Sequence, residues 1–272
     1  MSGFYQEKDG SWIALRIDYH IHTLFSDGMR DLSSYVDQAA KRKIDEIGFS
    51  DHMHFKKAVW SMAFSDLTSY LNRITALKET SKIPIKRGLE IDFVPSRMDR
   101  LMRTVNKFNL DYLIGSVHFI GNWAIDSEDQ IHRWRRKNIS HVYQRYFTLV
   151  QNMAKSGLFD ILGHLDLVKI FNFRPKNDIT NLLLETVEII SRSKTCVEVN
   201  TSGLRKPCRE VYPNEKLIKI CFDNGIPITL GSDAHSPKEV GANFDLAVNL
   251  LRKVGYVETV RFTKRNREFV EL

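Results

Sequence analysis

The sequence predicts an α/β fold on parallel strands, either a closed barrel or an open doubly wound sheet. Apolar, strand-like runs alternate about seven times with amphipathic, helix-like ones, and no linker or low-complexity stretch interrupts them. Repeated strand–helix units require right-handed crossovers between parallel strands. A third observation favours the barrel. Nearly every predicted strand ends in a residue able to bind a metal, and barrels concentrate their chemistry at the C-terminal strand ends, where the βα loops converge.

The first predicted strand, Ala14–His20, belongs to the apolar run Trp12-Ile13-Ala14-Leu15-Arg16-Ile17. Strand side chains alternate between faces, so His20 and His22 share one. Ser26-Asp27-Gly28 reads as a turn that swings Asp27 back over the same spot. Asp31 occupies the N-cap position of a helix over Leu32–Lys43. The second strand, Asp45–Ser50, runs into Ser50-Asp51-His52-Met53-His54, and a helix over Asp66–Ser81 follows with Ser65 as its cap. The third, Ile83–Asp92, ends Gly88-Leu89-Glu90-Ile91-Asp92 and precedes a helix over Ser96–Phe108. The fourth, Asp111–His118, ends Gly115-Ser116-Val117-His118-Phe119. A long helix over Ile131–Ser156 is then stopped by Gly157. The fifth, Phe159–His164, carries Gly163-His164-Leu165-Asp166, with a helix over Ile179–Ser193 behind it. The sixth, Cys196–Asn200, opens into Glu198-Val199-Asn200-Thr201-Ser202-Gly203 and a helix over Asn214–Asn224, stopped at Gly225. The seventh, Pro227–Ser232, ends Gly231-Ser232-Asp233-Ala234-His235 before a helix over Lys238–Val254. The tail from Tyr256 to Phe262 alternates like a further strand, as an eighth or as an edge hairpin.

With 272 residues, 43% of them hydrophobic, the whole chain 1–272 is expected to fold as a single domain. It has no apolar run of membrane-spanning length, so no membrane is expected. Met1–Asp9 lacks the basic-then-apolar profile of a signal peptide. Cys196, Cys208 and Cys221 are odd in number and form no Cys-x-x-Cys, which argues against disulfides or a thiolate zinc site and fits a reducing cytoplasm. The net charge is +7, with clusters at Lys41-Arg42-Lys43, Arg133-Trp134-Arg135-Arg136-Lys137 and Lys264-Arg265-Asn266-Arg267. Scattered in this way they read as solvated helix ends and tail, and nucleic acid is not an expected partner. A positive field would draw in a small anionic substrate. The sequence is silent on oligomeric state.

Seven of the nine histidines fall at strand ends; His132 and His141, inside a predicted helix, do not. The strand ends supply nine nitrogen or oxygen ligands and no sulfur: His20, His22, Asp27, His52, Glu90, His118, His164, Asp233 and His235. One tetrahedral ion takes three or four protein ligands. Nine therefore imply two or three divalent ions, and imidazole mixed with carboxylate suits zinc, manganese or iron. The charge left over after three carboxylates would hold a hydroxide and a phosphate monoester dianion. Metal binding brings the pKa of water to roughly 7, so hydrolysis of a phosphate ester by metal-activated hydroxide follows.

These motifs resemble the PHP (polymerase and histidinol phosphatase) superfamily. The Gly-Ser-Val-His-Phe-Ile segment at 115–120, with Trp123 and Asp126 after it, is similar to the stand-alone histidinol-phosphatase branch. So is Glu-Val-Asn-Thr-Ser-Gly-Leu at 198–204, and the likeness runs from about residue 15 to the C-terminus. The resemblance implies a distorted (β/α)7 TIM-like barrel and hydrolysis of L-histidinol phosphate to L-histidinol and phosphate, in histidine biosynthesis, at a trinuclear site. It implies that His20, His22, Glu90 and Asp233 hold one ion. Glu90 would bridge to a second ion completed by His118 and His164, and Asp27, His52 and His235 would hold a third. Some members place a histidine near Asp27, so the carboxylate there bears on the third site's metal preference.

Asp233 or His235 are the expected acids for the leaving alkoxide. Arg97, Lys169 and Arg205 are candidates for a phosphate clamp. His54, Trp123 and Asp126 lie on loops suited to the imidazole and amine of the substrate, and His54 is the expected binding residue among them. Asp51 and Asp166 are expected to orient ligand histidines. Alternatives are a phosphoesterase of other specificity (a nuclease or phosphotyrosine phosphatase), an amidohydrolase, and a nucleic-acid-binding module with a relic site. The amidohydrolase reading wants a lysine at the end of the fourth strand, and none is there.

Overall fold

A computed structural model describes residues 15–55 and 58–272. The reading of Met1–Asp9 and the start of the first strand at Ala14 lie outside the described residues. Among the described residues, one parallel sheet has seven strands in sequence order, β1 (Ile17–Asp18), β2 (Glu46–Phe49), β3 (Ile85–Asp92), β4 (Tyr112–Ser116), β5 (Ile161–Leu162), β6 (Cys196–Asn200) and β7 (Ile228–Gly231), and the short strand His52–Met53 pairs off this path with Glu90–Ile91 of β3. Sequence order without a switch point is the barrel's signature and excludes the doubly wound sheet.

Closure between β1 and β7 is partial. Tyr19 N donates to Leu230 O at 3.3 Å, Ala234 N to His20 O at 3.1 Å and His22 N to Ala234 O at 2.9 Å. Asp18 staples this seam, its Oδ1 accepting from Ser232 N at 2.9 Å and its Oδ2 from both Gly241 N at 2.9 Å and Ser232 Oγ. The barrel is therefore a distorted one. Inside it, the ring of Tyr112 fills the space left by Gly48 and Gly88, where any Cβ would fall within 2.3 Å of its atoms.

Among the described residues, eight α-helices surround the strands: α1 (Leu32–Lys41), α2 (Leu67–Thr80), α3 (Met98–Val105), α4 (Ile131–Trp134), α5 (Ile139–Ser156), α6 (Thr180–Ser191), α7 (Glu215–Asp223) and α8 (Phe244–Val254). Most begin and end within a few residues of the expected bounds. The long helix over 131–156 is instead two, because Asn138 caps α5 by accepting from His141 N at 3.1 Å. The last helix starts at Phe244 rather than Lys238. The backbone of Gly241 is held by Asp18 at φ +61°, and Asn243 is also left-handed, so helix cannot propagate through them. Ser65 does not cap α2; it lies in a short 3-10 turn, and Asp66 takes the cap position. Gly157 ends α5 in the left-handed conformation, as expected.

The tail is a hairpin, β8 (Glu258–Thr263) with β9 (Asn266–Glu271), and not an eighth barrel strand. Val260 and Phe262 pack against Ile17, Tyr19, Tyr112, Ile114, Ile161 and Cys196, so the hairpin closes the N-terminal floor of the barrel. Burying a side chain of this kind is worth about 1.5–3 kcal/mol. The opposite end is left to the βα loops. Among the described residues, no helix is long and apolar enough to cross a membrane, and all three cysteines are free and buried.

Candidate metal centre

The strand ends bring all nine expected ligands into one mouth. His20 and His22 leave β1, Glu90 lies on β3, His118 follows β4, His164 follows β5, and Asp233 and His235 follow β7. Four groups of these side chains offer ligand atoms within 4.8 Å of one another: His20, His22 and Asp233; His20, Glu90 and His164; His52, Glu90 and His118; and His22, Asp27, His52 and His235.

A tetrahedral ion with bonds of about 2.1 Å separates its ligand atoms by roughly 3.4 Å. His20 Nε2 lies 3.2 Å from Glu90 Oε2 and 3.8 Å from Asp233 Oδ1, and His22 Nε2 lies 3.5 and 3.3 Å from the same two oxygens. These four edges bracket the required length. The second oxygen, Glu90 Oε1, lies 3.0 Å from His164 Nε2 and 3.5 Å from His118 Nε2, and those nitrogens are 3.2 Å apart. One carboxylate thus faces two clusters, each through its own oxygen. In the third, Asp27 Oδ2 lies 3.3 Å from His235 Nε2 and 3.7 Å from His52 Nε2. His52 also turns Nδ1 to Glu90 Oε2 at 2.9 Å, so it touches two clusters.

Buried polar atoms almost always have hydrogen-bond partners. Here His20 Nε2, both ring nitrogens of His22 and Glu90 Oε2 are buried with none. Donor atoms left bare at tetrahedral spacing are what a cation would satisfy, so the residues fit divalent metal.

Outer carboxylates set the ring orientations. Glu198 Oε1 lies 2.6 Å from His20 Nδ1 and Asp92 Oδ1 lies 2.6 Å from His118 Nδ1, so each ring gives its Nδ1 proton outward and keeps Nε2 for the centre. Glu198 Oε2 accepts from His164 N at 2.8 Å and Asn200 Nδ2 at 3.0 Å. Gly231 leaves room for this carboxylate: a Cβ there would sit 1.9 Å from Glu198 Oε1. His164 and Asp233 hold φ values of +23° and +52°, backbone strain that persists where surrounding contacts fix it.

Electrostatics follow the geometry. Burial opposes ionisation of Glu90, yet His52, His20 and His118 hold its carboxyl well below the ordinary range. Asp233 is likewise depressed, by His20, His22 and His235 against burial. Burial, with the neighbouring His52 and His235, lowers His22 to about 3, which keeps its ring neutral and able to ligate. His235 is pushed up to about 9, because its hydrogen bond to Asp27 and the charge of Asp233 outweigh burial.

Several expected roles move. Asp51 orients no histidine: it accepts from Thr23 N, Thr23 Oγ1, Ser26 N and Ser26 Oγ at 2.6–3.1 Å, fixing the loop that returns Asp27. Asp166 binds Lys169 Nζ at 2.8 Å and Asn214 N at 3.0 Å. Lys169 is buried, with Val211 O and Glu210 as further partners at 2.7 and 3.2 Å, so its ammonium is committed to this ion pair and is no phosphate clamp. Trp123 is core, edge-on to Trp134. Asp233 is held ionised, the form that suits ligation. Asp92 and Glu198 are the orienting residues that sequence reasoning passed over. Both lie within strand-end segments, Asp92 two residues from Glu90 and Glu198 two residues from Asn200.

Other candidates stand near the mouth. Arg205 donates through Nη2 to Ser232 O at 2.8 Å and Asp233 O at 3.2 Å, while Nη1 has no partner. Arg97 is exposed and stacks on Phe55, its guanidinium 5.5 Å from the ring centroid. His54 turns Nδ1 to Asp92 Oδ2 at 2.9 Å. His132 and His141 are exposed and lie apart from the centre, as expected.

The family model described as PHP domain matches residues 18–202. A Deinococcus radiodurans protein named "Probable histidinol-phosphatase" is 34% identical over 257 residues, 92% of this chain and 98% of its own. The histidinol-phosphatase of Bacillus subtilis is 26% identical, over 84% of this chain and 96% of its own. Among solved structures, histidinol phosphate phosphatase from Lactococcus lactis subsp. lactis, complexed with zinc, L-histidinol and phosphate, aligns with a TM-score of 0.80. It is 23% identical and the alignment covers 93% of this chain and 98% of that one, a likeness of fold.

Proposed function

The chain belongs to the PHP domain family, and we propose that it is a metal-dependent histidinol-phosphatase of the cytoplasm. It hydrolyses L-histidinol phosphate to L-histidinol and phosphate, a step of histidine biosynthesis, with two or three ions of zinc, manganese or iron. The observation that carries this reading is Glu90, whose two oxygens face two sets of imidazoles at tetrahedral spacing. The 34% identity over nearly the whole of both chains supports the specificity.

His20, His22, Glu90 and Asp233 would hold one ion, Glu90, His118 and His164 a second, and Asp27, His52 and His235 a third. Such ions supply Lewis-acid charge to the phosphoryl group and lower the pKa of water to about 7. The chain's own residues do the rest. Glu198 and Asp92 take the Nδ1 protons of His20 and His118 and aim each Nε2 inward, where it would meet an ion. Asp51 holds the turn from which Asp27 reaches His235. Arg205, anchored on two carbonyls, turns its spare Nη1 to the phosphate, and Arg97 is a second cation for the entering dianion. His54, fixed by Asp92, borders the leaving group. With the third site empty, His235 Nε2 carries the proton at neutral pH and would donate it to the histidinol oxygen; with that site filled, the same nitrogen would ligate instead.

Hydrolysis rates on L-histidinol phosphate, a nucleoside monophosphate and phosphotyrosine, compared on one preparation, test the reading. Preference for L-histidinol phosphate is expected. Preference for either other ester would replace it with a phosphoesterase of different specificity.

A further inference from the structure

A cleft of about 80 Å³ lies among α5, α6 and α7, and no metal-ligand residue lines it. One water needs about 10–15 Å³ of such space, so the cleft has room for a small organic molecule. Phe147, Leu183 and Leu217, all buried, give it an apolar wall. Its polar lining is set by ion pairs that the metal chemistry does not use. Asp166 is 4% exposed and forms the buried end, while the Arg174 side chain, 34% exposed, stands at the rim. Tyr143 Oη donates to Phe173 O at 2.9 Å, which pins the strap carrying Arg174 beside the cleft.

The two oxygens of Asp166 are treated unequally. Oδ2 meets Lys169 Nζ at 2.8 Å and accepts from Asn214 N at 3.0 Å. Among the described residues Oδ1 is buried with no hydrogen-bond partner. Lys169 cannot turn to it. An ammonium has three protons, and Lys169 already faces three acceptors: Asp166 Oδ2, Val211 O at 2.7 Å and Glu210 Oε2 at 3.2 Å. A buried carboxylate oxygen without a donor is costly, so the cleft wants an N–H or O–H group from elsewhere. At the rim, Arg174 gives Nη2 to Glu210 Oε1 and Nε to Asn172 Oδ1, each at 3.1 Å. A guanidinium carries five N–H donors, so this one can still take a carboxylate. Asp166 and Glu210 balance Lys169 and Arg174 in charge. A dipolar ligand, neutral as a whole, would keep that balance.

We infer that this cleft is a second binding site, for a small aliphatic α-amino acid: its ammonium on Asp166 Oδ1, its carboxylate on Arg174, its side chain against Phe147, Leu183 and Leu217. The inference does not depend on which phosphate ester the metal centre cleaves. The site nevertheless adjoins that centre. Asp166 stands two residues after His164, and Tyr146, next to Phe147 on α5, donates to His164 O at 3.4 Å.

Calorimetric titration of the zinc-loaded protein with L-valine tests it, beside isobutylamine, which lacks the carboxylate, and isovalerate, which lacks the ammonium. L-valine is expected to bind saturably at one site per chain, and each truncated probe about tenfold or more weaker, the usual loss for one charged contact. Two variants locate the site. Asp166→Asn keeps the shape and removes the charge; Leu183→Phe keeps every ion pair and fills the cleft with its ring. Each should weaken L-valine about tenfold or more. Absence of saturable binding by the unaltered protein would mean a hydrated cleft only and overturn the inference. Equal binding of all three probes would overturn the dipolar match. Binding that survives Leu183→Phe, or that phosphate with L-histidinol abolishes, would place L-valine at the metal centre and overturn the second site.

Discussion

Glu198 Oε1 lies 2.6 Å from Nδ1 of His20, while Oε2 of the same carboxylate accepts the backbone N–H of His164 at 2.8 Å. One buried acid thus fixes ligands from two strands that are distant in sequence. Glu198→Gln keeps hydrogen-bonding capacity but loses the charge that favours the Nε2-free tautomer of His20. Metal affinity should fall about 10–100-fold, the usual cost of losing an outer partner. Competition with a calibrated chelator measures it; unchanged affinity would remove Glu198 from the metal's support.

Gly231→Ala places a methyl 1.9 Å from Glu198 Oε1 and 2.8 Å from His20 Cβ. Forcing extra volume into a packed site costs about 1–3 kcal/mol. Both the thermal midpoint and the zinc affinity should fall, because the displaced acid holds a ligand. A stable variant with normal zinc affinity would mean that the strand end yields without moving Glu198.

Lys169→Met leaves Asp166 without its buried cation and strips Glu210 of one partner. Breaking a buried pair from one side costs about 3–5 kcal/mol. Stability should drop while KM for the phosphate ester stays level. A large rise in KM without destabilisation would return Lys169 to the phosphate clamp.

Metal binding should release protons. In the metal-free protein the His235 imidazole sits at about 9, so a proton occupies this ligand at neutral pH, and the carboxylates around His20, His52 and His118 raise those imidazoles as well. A raised pKa means that the proton competes with metal below it, so affinity should climb as pH rises towards about 9 for His235. The same shift makes His235's contribution to metal-free stability full below its ordinary value near 6.5, and lost as pH rises through 9. His22, lowered to about 3, acts oppositely: its contribution is full above about 6.5 and fades as pH falls towards 3. Zinc titration by calorimetry in buffers of different ionisation enthalpy reads the protons released. A buffer-independent heat would contradict the protonated resting state.

Much of this was legible in the sequence, for identifiable reasons. The two-residue strand period places His20 with His22, and strand-end placement at a barrel's mouth gathers residues from seven separate motifs. Neither inference needs side-chain contacts. Outer partners do need them. Asp92 and Asp51 look alike in sequence, each a carboxylate beside a ligand, yet the first turns to His118 and the second to the Thr23–Ser26 loop. Lys169 reads as a free cation until burial pairs it with Asp166. The delayed start of α8 depends on Gly241 meeting Asp18 across the seam, a contact between residues 223 positions apart. Periodicity carried the tail as far as a strand, but only Val260 and Phe262 beneath Tyr19 show that it closes the floor.

The most direct measurement is phosphate release from L-histidinol phosphate by chelated protein, followed as zinc is returned in known amounts. The rate should be abolished on chelation and recover with zinc, levelling off at two to three ions per chain. Full turnover by the ion-free protein would contradict a metal-dependent centre at these strand ends.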